Sequence, residues 1–403
     1  MKNIFLPVAL AVIAISPAFA SEAKPKEKKA PEKKGFVFTD VKINPTTPVK
    51  DQNKSGTCWS FAGTGLLENE ILRKGGPELD LAEMFVVRNC YIDKAINYMR
   101  RDGAANFAQG GANADVTYVW DKYGAMPEQA YPGLNYGEEK HDHYEMEAAL
   151  KGYLDGVRKG GKKKRTTAWL PGFIGILDAY LGPVPETFEY NGKTYTPKSF
   201  AEELGLKGSD YINITSYTHH PFYEEFEVEI PDNWLNLPSR NVPMDEMKQI
   251  IDNALENGYS IAWAADVSEG GFKWRDGYAV IPEKKNEKDM DGTELSKWVK
   301  LSDSDREKSR FNLDGPGKEV TVTQEMRQKS FDNRETTDDH GMVIVGYATD
   351  QNGTKYYKVK NSWDTNQVYD GFFYVSEPYM LEKTISFMVN KEAVPDEISK
   401  KFK

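Results

Sequence analysis

Cysteine and histidine are scarce in this chain, numbering two and five among 403 residues. Two cysteines exclude a disulfide-stapled scaffold, so the fold must rest on a hydrophobic core, which a chain of this length can build. His141-Asp142-His143 and His219-His220 are the only paired histidines, and no carboxylate or cysteine set at tetrahedral spacing accompanies them. No metal or cofactor is therefore expected. The chain also lacks a phosphate-binding glycine loop and an internal repeat, which removes the nucleotide-hydrolase and solenoid classes. Basic excess is missing too: the formal net charge is −10, so nucleic acid is not an expected partner. The one basic cluster, Lys159, Lys162, Lys163, Lys164 and Arg165, reads as a solvated loop.

The first twenty residues have a composition of their own. Met1-Lys2-Asn3 is a short basic start, Ile4 to Ile15 is apolar apart from Pro7, and Ala18-Phe19-Ala20 precedes Ser21 as a small-x-small cleavage site. These are the parts of a secretory signal peptide, and the apolar run is too short for a stable membrane anchor. Export to a periplasm or the exterior is expected. Residues 21–38 follow as a Lys/Glu/Pro/Ala-rich stretch without an apolar face, which reads as a flexible charged spacer. Acidic Lys284 to Asp305 is polar enough to be an exposed loop.

What is present points to nucleophilic chemistry. Cys58 lies in Asp51-Gln52-Asn53-Lys54-Ser55-Gly56-Thr57-Cys58-Trp59-Ser60-Phe61-Ala62. The apolar residues Trp59, Phe61, Ala62, Leu66, Leu67 and Ile71 recur at helical spacing, so the thiol stands at a helix start. There the macrodipole and unpaired N–H groups favour the thiolate, the reactive species. Gln52, on the entry loop, is placed to donate to an oxyanion together with the Cys58 backbone N–H.

A base and its orienter are found far along the chain. His340 opens the apolar strand Gly341-Met342-Val343-Ile344-Val345, a turn follows at Asp350-Gln351-Asn352-Gly353, and Lys355 to Lys360 returns into Asn361-Ser362-Trp363. A hairpin of that register stands His340 and Asn361 at one edge of a sheet. Asp338 and Asp339 precede the histidine and are expected to raise the pKa of its imidazolium.

Taken together, the Gln52…Cys58-Trp59-Ser60-Phe61-Ala62 run, Asp339-His340-Gly341-Met342 and Asn361-Ser362-Trp363 resemble, in order, the signatures of the papain-like cysteine peptidases. Gln109-Gly110-Gly111 is similar to the glycine pair on which those enzymes lay a substrate backbone. Leu81 to Val86, Val242 to Lys248 and Ala265-Asp266-Val267 resemble the bleomycin hydrolase and aminopeptidase C branch. The resemblance implies an α+β papain-like two-lobe fold, with a helical lobe over residues 39–240, containing an insertion at about 136–240. A strand-rich, β-barrel-like lobe with a short C-terminal tail would occupy 241–403, and the active site the cleft between. It implies a Cys58–His340–Asn361 triad, Gln52 in the oxyanion hole, Gly110 and Gly111 under the substrate, and Trp363 shielding the His340–Asn361 bond. Peptides are the implied substrates, and members of the branch assemble as homo-oligomers, commonly hexamers.

Departures from that pattern carry expectations as well. In the branch, the chain's own C-terminus blocks the far subsites and captures the substrate's amine; here the chain ends on Lys401-Phe402-Lys403. An exported aminopeptidase C-like enzyme is expected, and endopeptidase or dipeptidyl-peptidase action competes with it. An inactive papain-like peptide-binding protein is the third reading. Asp364 stands where glycine is usual, and Ser55 where papain has the disulfide partner of the residue matching Cys90, so Cys90 is expected to be a free structural thiol.

Overall fold

The helix that begins at Cys58 and ends at Arg73 (α1) is buried almost throughout, from Trp59 to Ile71. A helix buried on all sides belongs in the middle of a molecule, and its buried Glu68, Asn69 and Glu70 are hydrogen-bonded. In the computed structural model, which describes residues 35–160, 164–284 and 287–402, α1 packs between two layers. On one side lie α2 (Glu83–Arg100) and α3 (Ala114–Tyr123); Gly63 lets α3 approach, because a Cβ there would stand 2.3 Å from Val116 Cγ2. Further out come α4 (Tyr144–Lys159), α5 (Trp169–Leu181) and α6 (Pro197–Leu204). A short hairpin of β2 (Phe188–Tyr190) and β3 (Lys193–Tyr195) turns at Asn191-Gly192, both with positive φ, as the Asn-Gly pair requires. The expected signal peptide, residues 21–34 of the spacer, and Lys162, Lys163 and Lys403 lie outside the described residues.

On the other side of α1 is an eleven-stranded sheet. Its strands are β1 (Phe38–Ile43), β4 (Tyr211–Thr215), β5 (Glu225–Glu227), β6 (Pro238–Asn241), β7 (Ile261–Ala265), β8 (Phe272–Lys273) and β9 (Tyr278–Ala279). The rest are β10 (His340–Asp350), β11 (Lys355–Lys360), β12 (Phe372–Ser376) and β13 (Thr384–Asn390). The order is β5-β6-β4-β13-β7-β10-β11-β12-β9-β8, with β1 also on β10. β10 is long enough to pair with β7 over residues 340–344 and with β1 beyond them. The helix α7 (Met244–Glu256) covers the sheet with Met247, Ile250, Ile251, Ala254 and Leu255.

The sheet recruits more of the chain than residues 241–403. β1 and β4 to β6 come from the stretch expected in the helical lobe, and β4 occupies the edge that β13 would otherwise leave unpaired, a need that composition does not reveal. The expected loop at Lys284 to Asp305 is exposed but partly helical, carrying α8 (Gly292–Trp298) and the start of α9 (Asp303–Arg310). Ser302 caps α9 through the Asp305 N–H, and the acid-first, base-last order suits the helix dipole. α10 (Gln324–Asp332) leads to β10, and α11 (Glu377–Lys383) to β13.

The described end of the chain, α12 (Asp396–Ser399) to Phe402, packs onto α7 and β6. Lys401 Nζ lies 2.6 Å from Glu246 Oε1, and the Arg240 guanidinium lies 4.9 Å from the Phe402 ring centre. Among the described residues, no helix is long and apolar enough to cross a membrane.

Candidate active site

Cys58 is the first residue of α1, after Thr57 at the N-cap. The start of β10 meets it there: the backbone of Gly341, next to His340, lies near enough to the Cys58 sulfur to favour its thiolate, as does that of Trp59. Burial outweighs these two contacts and the helix start, and Asp338 and Asp232 add to it, so the thiol is pushed up to about 12. The helix position is as the sequence indicates, but its pull toward thiolate is overridden by dehydration. His340 is buried too, and burial holds its imidazole down, to about 4, against the support of Asn361. Each group alone stays neutral.

The hairpin of β10 and β11 sets the base and its orienter. The Asp350 carboxylate accepts from the Asn352 and Thr354 N–H groups at 2.8 Å each, closing the turn. Val343 then pairs with Lys360, which puts His340 beside the end of β11. Its Nε2 lies 2.7 Å from Asn361 Oδ1. Nδ1 is left as the ring nitrogen for the thiol. Trp363 stacks on the imidazole with centroids 4.4 Å apart and planes at 27°, and Phe272 and Trp274 pack edge-on against that indole. The His340–Asn361 bond is thus roofed by aromatic rings. Asp364 follows with φ of 71°, the left-handed conformation that explains why glycine would be at ease there.

Gln52 is fixed from both sides. Ser362 Oγ donates to its Oε1 at 2.7 Å, its Nε2 donates to Ser55 O at 2.7 Å, and its backbone N–H donates to Ser362 O. One amide proton remains to face a ligand. Ser55 Oγ donates to Gln52 O, and Cys58 and Cys90 are both free. The fully buried Cys90 thiol is raised well above its usual range by burial.

Gly110 and Gly111 do lie beside α1. Trp59 Nε1 donates to Gln109 O at 3.0 Å, the Gly56 N–H donates to Gln109 Oε1 at 2.6 Å, and Lys94 Nζ donates to Ala108 O and Gly110 O. They are not an open platform. The loop joining β5 and β6, residues 228–237, reaches across from the sheet, and a Cβ on Gly110 would stand 1.9 Å from Asp232 Oδ2. This hairpin tip was not singled out from the sequence. Its only local signal is the turn-forming Pro231-Asp232-Asn233, because what defines it is a contact with a distant glycine.

Asp338 and Asp339 do not support the imidazolium as expected. Burial pushes the Asp338 carboxyl up to about 8, with Asp232 and Asp339 adding to it, so near neutral pH it holds its proton and carries no charge to lend. Asp339 is turned to other partners, accepting from the Thr337 hydroxyl and the Val267 N–H. The histidine pairs need a correction as well. Glu229 joins His219 and His220, with their ligand atoms within 4.8 Å of one another, so a carboxylate does complete that set; both rings are hydrogen-bonded to it at 3.1 Å. His141 and His143 gain no carboxylate among the described residues.

Known proteins are similar to this chain. The profile "Papain family cysteine protease" matches residues 38–169, and "Peptidase C1-like family" matches residues 317–403. Aminopeptidase C of Streptococcus thermophilus is 22% identical over 387 residues, covering 85% of this chain and 80% of that protein. A cathepsin L-like peptidase of Aedes aegypti is 28% identical over 169 residues, 39% of this chain and 44% of that one. Among solved structures, pepw from Lactobacillus rhamnosis superposes with a TM-score of 0.67 at 20% identity, covering 90% of this chain and 84% of that chain. The chain is a cysteine-type peptidase of the papain-like family, on its aminopeptidase C branch.

Proposed function

We propose that Cys58, His340 and Asn361 form the catalytic triad of an exported peptidase that trims amino termini. The observation that carries this reading is the meeting at one point of the Cys58 sulfur, the Gly341 backbone and the His340–Asn361 bond of 2.7 Å. In the reaction, Cys58 Sγ attacks the scissile carbonyl carbon as its proton moves to His340, and Asn361 holds the ring in plane. The Gln52 amide and the Cys58 N–H receive the oxyanion; removing one such donor costs on the order of a hundredfold in turnover. Collapse expels the amine, which takes the proton from His340, and leaves a thioester on Cys58. Water then attacks that thioester, giving a proton to His340, and release of the carboxylic acid restores the thiol. Trp363 keeps water from the His340–Asn361 bond.

The aminopeptidase assignment is supported by the Aminopeptidase C relatives, and export by the composition of the first twenty residues. The test of the triad is a peptide-hydrolysis assay combined with mass spectrometry after treatment with a thiol-directed epoxide. Cys58→Ala and His340→Ala should each lower turnover by at least about a thousandfold, with the label on Cys58 alone. Labelling of Cys90 that spares Cys58 would instead favour an inactive peptide-binding protein. Cell fractionation, finding a chain that begins at Ser21 outside the cytoplasm, tests export.

A further inference from the structure

The tip of the β5–β6 hairpin divides the cleft beside Cys58. On one side lies a pocket of about 420 Å³, lined by Glu229, Asp232, Phe331, Arg334, Asp338 and Asp339 among others. On the other is a remnant of about 30 Å³ reached by Gly111, Asn113, Ile230, Asn233 and Asp338. The remnant has room for a water or an ammonium group but not for an amino-acid side chain. A peptide lying along Gly110 and Gly111 would have to pass through Asp232 and Ile230, so the chain of a bound substrate must stop at this point.

The tip is held in place by both walls. Trp234 Nε1 donates to Asp115 Oδ2 at 2.6 Å, Asn97 Nδ2 donates to Trp234 O at 3.3 Å, and Asn106 Nδ2 donates to Asp232 Oδ1 at 3.2 Å. Asn233 closes its own turn through Leu237, receiving its N–H at 2.9 Å and donating to its carbonyl at 3.0 Å. These contacts make it a built feature of the cleft rather than a stray loop.

What faces the blocked end is rich in acceptors, of which Asp232 Oδ1 receives Asn106 Nδ2. Asp232 and Asp338 are both near enough to Cys58 to act on its charge. Lys94 offsets part of the Asp232 charge, but its ammonium is already engaged by the Ala108 and Gly110 carbonyls. The charges that act on Asp338 are those of Asp232 and Asp339. Asn113, only 6% exposed, has an Oδ1 with no hydrogen-bond partner, 3.0 Å from where a Gly341 Cβ would stand. Buried acceptors of this kind call for a donor, and a cationic donor answers the carboxylates as well.

We infer that the β5–β6 hairpin tip caps the cleft and that Asp232, with Asp338 and Asn113, receives the free α-ammonium group of a peptide substrate, so that one residue is removed at a time. This rests on the peptidase reading above and assigns the amine end of its cleft to named residues. It also assigns the capping to an internal hairpin.

The test uses peptide pairs that differ only in a free or acetylated amino terminus. Hydrolysis by the parent protein should favour the free peptide at least about a hundredfold and release single amino acids. Asp232→Asn, which keeps the Asn106 contact possible, should lower kcat/KM for the free peptide by about thirtyfold, mainly through KM, and so narrow its preference over acetylated peptide. Joining Glu227 to Pro238 by a two-residue Asn-Gly turn should create cleavage of acetylated peptides. Equal cleavage of both peptides by the parent, release of dipeptides, or an equal loss on both peptides in Asp232→Asn would overturn the inference. Binding of the same peptides to Cys58→Ala protein separates the two readings. Preference for the free amine without turnover in the parent would sink the triad and retain the cap; turnover without that preference would do the reverse.

Discussion

Two groups of acidic side chains flank α1, the helix that begins at Cys58, and they differ in what neutralises them. Behind α1, Lys50 Nζ lies 2.6 Å from Glu83, 2.9 Å from Glu68 and 2.5 Å from Asp80. Burial works against this ammonium, but Glu83, Glu68 and Asp80 more than offset it, and its pKa stands well above the usual range. Thr47 Oγ1 and the Leu81 N–H complete the bonds of Glu68. In front, Asp232 and Asp338 face the cleft, and Asp338 answers burial by keeping a proton. The first group is closed by a cation and holds the helix; in the second, Lys94 offsets only part of the Asp232 charge and Asp338 stays protonated. Buried charge is therefore not one kind of feature here: the same residue type is paired with a cation on one side of Cys58 and keeps its proton on the other, where we propose recognition.

That contrast breaks most visibly if its two sides are mutated. Lys50→Met leaves Glu68 and Glu83 buried without their cation and should cost about 3–5 kcal/mol, read by urea denaturation. A loss below about 1 kcal/mol would mean that the rear group is no more closed than the front one.

The front group has a pH signature instead. The folded-state pKa of Asp338, about 8, lies above its ordinary 3.8, so between those values the folded protein binds a proton that the unfolded chain has lost. Stability contributed by this group therefore falls as pH rises through that window, by up to about 1.4 kcal/mol per pH unit. Asp338→Asn should flatten the fall between pH 5 and pH 8 in denaturation curves. An unchanged slope would show that Asp338 is ionised like a surface carboxylate.

Smaller effects sharpen the account around the triad. Ser362→Ala removes the donor to Gln52 Oε1 and should lower kcat about tenfold, with KM little changed, as the oxyanion donor loses its bearing; a change in KM alone would place Gln52 in ground-state binding. Asp364→Gly, outside both acidic groups, should alter stability by no more than about 0.5 kcal/mol, since relief of the left-handed backbone is offset by greater freedom in the unfolded chain. A larger loss would mean that the Asp364 Oδ1 contact with the Thr365 N–H, at 2.6 Å, holds the loop.

Legibility in the sequence follows the same divide. Cys58 at a helix start, the β10–β11 hairpin and the pairing of His340 with Asn361 are written in local patterns, and the structure places these residues together. So are the Gln52 loop and the Trp363 roof. The hairpin tip is not, because Asp232 has meaning only against Gly110, and neither residue's neighbours in sequence point to the other. The charge states were hidden for a related reason. A helix start or an adjacent aspartate can be seen in a string of letters, whereas dehydration, which decides the states of Cys58, His340 and Asp338, depends on what packs around them. The extent of the sheet was obscured likewise, since β4 is a strand by virtue of the edge of β13.

The central claim, that the front group awaits a substrate cation, is tested most directly by counting protons. Calorimetric binding of a free-amine tripeptide to Cys58→Ala protein at pH 6.5, in buffers of differing ionisation enthalpy, should show release of about one proton per peptide as Asp338 ionises against the ammonium. Acetylated peptide should release none. Binding of the free peptide with no proton release, or equal release with the acetylated one, would contradict the account.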